Sequence, residues 1–512
     1  MSKVVFLEPR AANPHIFSGF GIPRLGSVLL ATILRGLGHD AGVFVEDIRE
    51  VDFERVLSAD LAAISVLTPT APRGYEMARQ IHARGVPVIM GGPHVTFLAD
   101  EALEHCDFVI RGEAERSMPA FMNAWSTGAD LASVPGLSYR RGREVVHNPV
   151  DPAPVDIRAN PIPDMSLVDG YDSRRGVTRW RIVPIQTSRG CPFACSFCSV
   201  TQMFGRGMRY RETSDVLDEL DRCDPRRDFV FFYDDNFCVN LPRTRRILEG
   251  MIDRRPGWRW SAQVRIDVAR DEEFLRLMCD SGCRHIYIGF ESISDETLAL
   301  MKKAQTSLQA TKAIEAIHRH GIGIHGMFVF GFDTDTKKDL KRTWRYAMKQ
   351  KLRTAQFMIL TPMPGTDTYR VLEGENRIEV RDWSFYDGQH VVFRPKHLSP
   401  AELQWCQIRA HRCYYSWRER IKSIFRLDLY RATIQVYAKG IGQRWIRQNR
   451  YYLKAIKLAR RAEQAIAGKG SHIAIRFHPL ATYRDVHEQV EHAVERMRAR
   501  GEKSFADSPT SI

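Results

Sequence analysis

Short apolar runs alternate with helical patterns along two long stretches of this chain, and a Pro-rich segment separates them. Such alternation has few folded solutions. Strands spaced by helices pair in parallel, and the helices cover both faces of the sheet. In the first stretch strands are predicted at Val4–Glu8, Gly42–Glu46, Leu61–Val66, Pro87–Gly91 and Asp107–Ile110. Helical patterns fall at Arg24–Leu37, Pro72–Arg84, Leu98–Glu104 and Glu115–Trp125. This predicts an α/β, doubly wound domain over residues 1–128, flavodoxin-like or Rossmann-like in layout. Its binding crevice should form from the loops after the strands: Pro9–Arg24, Leu67–Pro72, Gly91-Gly92-Pro93-His94 and Arg111-Gly112-Glu113.

Residues 129–180 contain NPVDPAPVDIRANPIPDM and read as a linker with some irregular strand. From 181 to 375 the alternation resumes, with strands predicted at Ile182–Thr187, Phe229–Tyr233, Trp258–Ile266, His285–Gly289, Gly323–Phe330 and Thr354–Thr361. Six such units predict a partial (β/α)6 barrel with its chemistry at the strand carboxyl ends. Residues 376–512 read as a mostly helical, basic domain that ends in an amphipathic helix near Tyr483–Arg500. A length of 512 residues with 44% hydrophobic and 27% charged suits about three folded domains. No apolar run reaches the roughly 18 residues of a membrane span, and MSKVVFLEPR lacks a signal-peptide layout, so a cytoplasmic protein is expected.

Three of the ten cysteines crowd into Thr187-Ser-Arg-Gly-Cys191-Pro-Phe-Ala-Cys195-Ser-Phe-Cys198. Thiolate suits iron–sulfur clusters and zinc. A closed zinc site needs four ligands, and no fourth Cys or His lies nearby. Three thiolates on a cubane leave one iron open to a ligand. The other seven cysteines (106, 223, 238, 279, 283, 406 and 413) suit buried small apolar positions.

The stretch TSRGCPFACSFCSVTQMFGRGMRYR, with Phe197 before the last cysteine, resembles the cluster loop of the radical S-adenosylmethionine (SAM) superfamily. The resemblance implies a [4Fe–4S] cluster on Cys191, Cys195 and Cys198, whose open iron chelates SAM. Reductive cleavage then gives a 5′-deoxyadenosyl radical. It also implies SAM contacts at later strand ends: Asp234, Asp235 and Asn236; Gln263, Arg265 and Asp267; Glu291 and Ser292; and Gly331. Strand alternation places Gln263, Arg265 and Asp267 on one face, and a buried Arg265 needs Asp267 or a ligand as its partner. Glu291 resembles the ribose-contacting carboxylate, and the glycines of Gly326–Gly331 would let backbone approach the adenine.

A flavodoxin-like domain ahead of such a barrel resembles the cobalamin-binding radical SAM enzymes: class B methyltransferases and anaerobic magnesium-protoporphyrin monomethyl ester cyclases. Segments around Gly26, Gly91-Gly92-Pro93-His94 and Val109–Glu115 carry the likeness. Cobalamin is therefore an implied cofactor, with Gly91, Gly92 and His94 at its site. The DxHxxG motif of the better-known cobalamin fold is missing; His15 and His94 lie on the crevice loops, and His94 suits a loop-packing residue better than a cobalt ligand.

Of the formal charge of +14, about +13 lies between Arg409 and Lys469, with sixteen Lys/Arg against three acids, interleaved with aromatics. Three roles suit this segment: a solvated surface closing the barrel, a peripheral contact with an anionic membrane, or nucleic-acid binding. No RNA-binding module is recognisable, so nucleic acid is not favoured. The reading as a whole is a radical SAM enzyme that C-methylates an unactivated carbon of a small or lipid-like substrate, with a flavodoxin or ferredoxin as reductant. Cyclisation or carbon–carbon coupling by the same architecture is the alternative, and a non-catalytic cobalamin or redox sensor is a reading from another class.

Overall fold

The computed structural model describes residues 1–13, 21–172, 180–254, 257–425, 429–455 and 457–458. His15, the helix expected near Tyr483–Arg500 and the end of the basic segment lie outside the described residues.

The first sheet holds β1 (Lys3–Glu8), β2 (Asp40–Val45), β3 (Leu61–Ser65), β4 (Val88–Gly91), β5 (Phe108–Ile110), β6 (Leu137–Arg141) and β7 (Glu144–His147). Their order is β2-β1-β3-β4-β5-β6-β7. The first five strands are parallel, and β6 and β7 extend the edge antiparallel. Val4 to Leu7 are all buried because each face of this sheet is covered, and a separate apolar cluster lies on each side. The stretch read as linker thus contains two regular strands, turned at Gly142 with φ +64°.

The second sheet holds β8 (Arg181–Ile185), then β11 (Asp228–Phe232), β12 (Trp260–Val264), β13 (Cys283–Glu291), β14 (Gly323–Phe330) and β15 (Thr354–Ile359). Its strands run parallel in sequential order, and β8 and β15 form two unjoined edges, which makes a half barrel. Between β8 and β11 lies a two-residue antiparallel pair, β9 (Ser188–Arg189) and β10 (Arg209–Tyr210). Alternation along β15 sorts the faces. Ala355, Phe357 and Ile359 are buried under helices, whereas Gln356 and Met358 are half-buried on the concave side.

β12 stops at Val264, and Ile266–Arg270 is a 3₁₀ turn. Asp267 therefore leaves the strand face on which alternation had placed it beside Gln263 and Arg265. Helix Pro400–Tyr414 seals the outer face of β15. The hydroxyl of Tyr415 donates to Ala355 O at 2.6 Å, and Gln407 Nε2 donates to Phe357 O at 3.1 Å. Helices Trp417–Phe425 and Leu429–Gln448 follow. No helix among the described residues is long and apolar enough to cross a membrane.

Candidate active site: a cysteine loop facing a glycine-lined crevice

The cysteine loop leaves β9 through Gly190, at φ +98°. A Cβ there would lie 2.5 Å from Gly207 O, so only glycine lets the loop pass so close to the strand that returns. Cys191, Cys195 and Cys198 are free and half-buried. They lie near enough to one another that each neighbouring thiol helps raise the pKa of Cys198, which burial chiefly pushes up to about 12. Burial raises Cys191 as well. Among the described residues no three His, Cys, Asp or Glu side chains converge on a single metal ion; three free thiols close enough to influence one another suit a cubane instead, in which each thiolate holds a different iron and loses its proton on binding. Of the other seven cysteines, 106, 223, 238 and 283 are buried and 279, 406 and 413 half-buried.

Asp234 braces the base of this loop. It is fully buried and accepts hydrogen bonds from Thr187 N and Oγ1 at 2.6 Å and from Ser188 Oγ at 2.7 Å. Both oxygens of its carboxylate are engaged by the chain itself. Asp235 points the other way. It has accessible surface yet is hemmed in by protein, so desolvation, helped by Asp234, raises its pKa to about 7. It is close enough to Cys191 and Cys198 to raise both. Asn236 is buried with Oδ1 unpartnered. An unpaired buried acceptor costs about 1–3 kcal/mol, and a ligand donor such as an ammonium would relieve it.

Arg265 lies 3.8 Å over the ring of Phe193 in the cysteine loop. It pairs with Asp267 at 3.3 Å, as its burial requires, and donates to Lys303 O at 2.7 Å. Gln263 is half-buried on the concave face. Glu291 is buried at φ +60° and held by Lys303 Nζ at 2.7 Å. Lys302 and Ala304 also have positive φ. Three of the five such non-glycine residues among those described thus gather at this one clamp, and strain of that kind concentrates at functional sites. Ser292 Oγ accepts from Ser294 N at 3.1 Å. Phe197 meets Phe332 edge-on at 6.0 Å.

Two further residues of the expected set pack against the C-terminal region. Gly331, at φ +113°, packs on the C-terminal segment. A Cβ would lie 2.8 Å from Leu403 Cδ2, so its lack of a side chain makes room for that segment. His94 is buried away from the crevice. Its Nε2 pairs with the Tyr75 hydroxyl at 3.1 Å, and Trp383 meets its ring edge-on. It therefore packs the domain against the C-terminal region.

The crevice has a volume of about 230 Å³ over the carboxyl ends of β1, β3, β4 and β5. Ile64, Ile89 and Ile110 line it, with Gly26, Gly91, Gly92 and Gly112, and among the described residues no His or Cys does. Side chains added at Gly26 or Gly91 would meet nothing closer than 4.0 Å, so these positions leave an open cradle that fits part of a bulky ring cofactor. Its far wall is Gln186, Arg189, Met203, Phe204 and Tyr233 from the second domain. Arg189, two residues before Cys191, crosses the boundary to Glu113 at 2.5 Å and Glu115 at 2.6 Å, and Arg209 joins Glu113 at 2.6 Å. This charge cluster was missed in the sequence because its members are 74 to 96 residues apart. Lys303 was missed for a different reason: only the fold sets it against Glu291.

Residues 185–347 match the radical SAM superfamily and residues 18–122 match the B12 binding domain. The chain is 33% identical over 350 residues to bacteriochlorophyllide d C-12(1)-methyltransferase of Chlorobaculum tepidum, covering 67% of this chain and 72% of that protein. It is 26% identical to the anaerobic magnesium-protoporphyrin IX monomethyl ester cyclase of Rubrivivax gelatinosus, covering 78% and 75%. The solved structure of the cobalamin-dependent SAM radical enzyme OxsB, with aqua-cobalamin and SAM bound, shares the fold at TM-score 0.65 and 16% identity, covering 97% of this chain and 84% of that one. The chain belongs to the cobalamin-dependent branch of the radical SAM superfamily. It is an enzyme whose cofactors are a [4Fe–4S] cluster, SAM and cobalamin.

Proposed function

We propose that the protein C-methylates an unactivated carbon of a small, hydrophobic substrate, and that it draws electrons from a flavodoxin- or ferredoxin-type donor. One observation carries this reading: the crevice of the first domain and the cysteine loop of the second share a wall, tied by Arg189. When bound, the cluster and SAM supply hydrogen abstraction and the corrin supplies a transferable methyl group. The chain's own groups do the positioning. Asp234 and Gly190 fix the path of the cysteine loop. Arg265 clamps Phe193, and Lys303 orients Glu291 toward hydroxyl donors. Asn236 Oδ1 and Asp235 offer acceptors beside the thiols. The crevice lining brings no His or Cys, so its described residues would hold the corrin without an imidazole on cobalt. The basic C-terminal segment is read as a peripheral membrane contact.

The test is anaerobic turnover of reconstituted protein with candidate apolar substrates. Corrin absorbance, with S-adenosylhomocysteine and 5′-deoxyadenosine among the products, supports methylation. Deoxyadenosine without S-adenosylhomocysteine would favour the cyclase-type reaction. Full activity of cobalamin-free protein would sink both.

A further inference from the structure

Helix Trp417–Phe425 has its polarity inverted. Glu419 and Ser423 are turned inward, and Ser423 Oγ donates to Glu419 O. Trp417, Ile421, Ile424 and Phe425 point outward, with Phe425 84% exposed. Their spacing of four, seven and eight residues puts them on one helix face. A helix of a water-soluble surface would show the reverse. The only acid on this helix, Glu419, is buried and paired with Lys422 at 2.7 Å. Arg418 and Lys422 stand exposed among the apolar side chains. In the residues that follow, Lys439, Arg444, Arg447, Arg450, Lys454 and Lys457 are exposed, and the sequence has no Asp or Glu between Asp428 and Glu463.

Trp417 also borders a cavity of about 580 Å³. This cavity runs from Trp417 and Ile446, both exposed, past Tyr415 and Trp445 to Gln356 and Met358. Those last two side chains belong to the concave face of β15, the free edge of the half barrel. A mainly apolar cavity therefore links the exposed helix face to the edge strand of the half barrel.

We propose that this face seats the enzyme on an anionic lipid bilayer, with the cavity mouth at Trp417 opening onto the membrane so that an apolar molecule can enter from it. The occupant follows from the pairing of apolar side chains with exposed Arg418 and Lys422 on a helix whose own acid, Glu419, is buried, which matches an anionic interface. The substrate part rests on the methylation reading above; the docking part does not.

The experiment uses the full chain, purified anaerobically, in co-sedimentation with phosphatidylcholine vesicles with and without phosphatidylglycerol. Binding should require the anionic lipid and fall as salt rises. The triple variant I421S/I424S/F425S should lose at least tenfold in partitioning, and R418Q and K422Q about fivefold each. Brominated lipid should quench part of the tryptophan fluorescence, and that part should vanish in W417F. Absence of binding to any vesicle, equal binding by the triple variant, or a dimer in solution that the triple variant abolishes would each overturn the proposal. Wild-type 5′-deoxyadenosine formation is measured in parallel without lipid. Its failure would strike the catalytic reading and leave the vesicle result standing.

Discussion

Single residues decide whether the two sites exist. Cys195→Ala should abolish SAM cleavage and lower bound iron, read by deoxyadenosine formation and iron content; retained turnover would overturn the cluster assignment. Gly92 sits at φ +102°, and a Cβ would lie 2.6 Å from Val66 O. Gly92→Ala should therefore cost on the order of 3 kcal/mol in denaturant unfolding. Asp335 is buried and accepts from Gly331 N and Phe332 N, and desolvation raises its pKa to about 7. A carboxyl whose folded pKa is raised binds its proton more tightly when folded. Its contribution is complete below pH 4 and is lost as pH rises toward 7. Asp335→Asn should flatten that decline, seen as a smaller Tm difference between pH 5 and pH 8 than in wild type. The cysteines, Asp234 and Glu291 could all be named from the sequence because motif order carries them. What each touches could not. Asp234 braces Thr187 and Ser188, because a polar side chain at a strand end turns toward whichever donors the neighbouring strand provides, whereas the packing role of His94 was the reading the sequence favoured.

At the scale of elements, the five parallel strands of the first domain and the six of the second were legible as short apolar runs. The β6–β7 hairpin was not, although LSYRR-G-REVVH alternates around a glycine. The Pro-rich sequence just after it masked the signal. The end of β12 was also overrun, since alternation alone cannot mark where Ile266 turns into a 3₁₀ segment. The element that matters most to the site is β9 with the loop it launches. Arg189 is buried in that strand between two carboxylates. Removing one partner of such a group leaves uncompensated charge, so Arg189→Met should destabilise the protein by about 3–5 kcal/mol. It should also weaken corrin retention during gel filtration, whereas a loss of stability with unchanged corrin content would show that the contact is only structural.

For the whole molecule, the shared wall predicts that cofactor and fold are linked. Cobalamin added at about a hundred times its dissociation constant should stabilise the native state by about 2.7 kcal/mol. A calorimetric scan with and without hydroxocobalamin measures this, and an unshifted Tm would mean that the crevice does not take the corrin.

The boundary through Arg189, Arg209, Glu113 and Glu115 has a bearing on ancestry and on engineering. Cutting the chain between its modules would strand two acids on one piece and two guanidinium groups on the other, all of them shielded from water in the intact protein. Neither piece is suited to life alone. A chimaera that borrows the front half from a cousin inherits a lock without its key unless these four positions travel together.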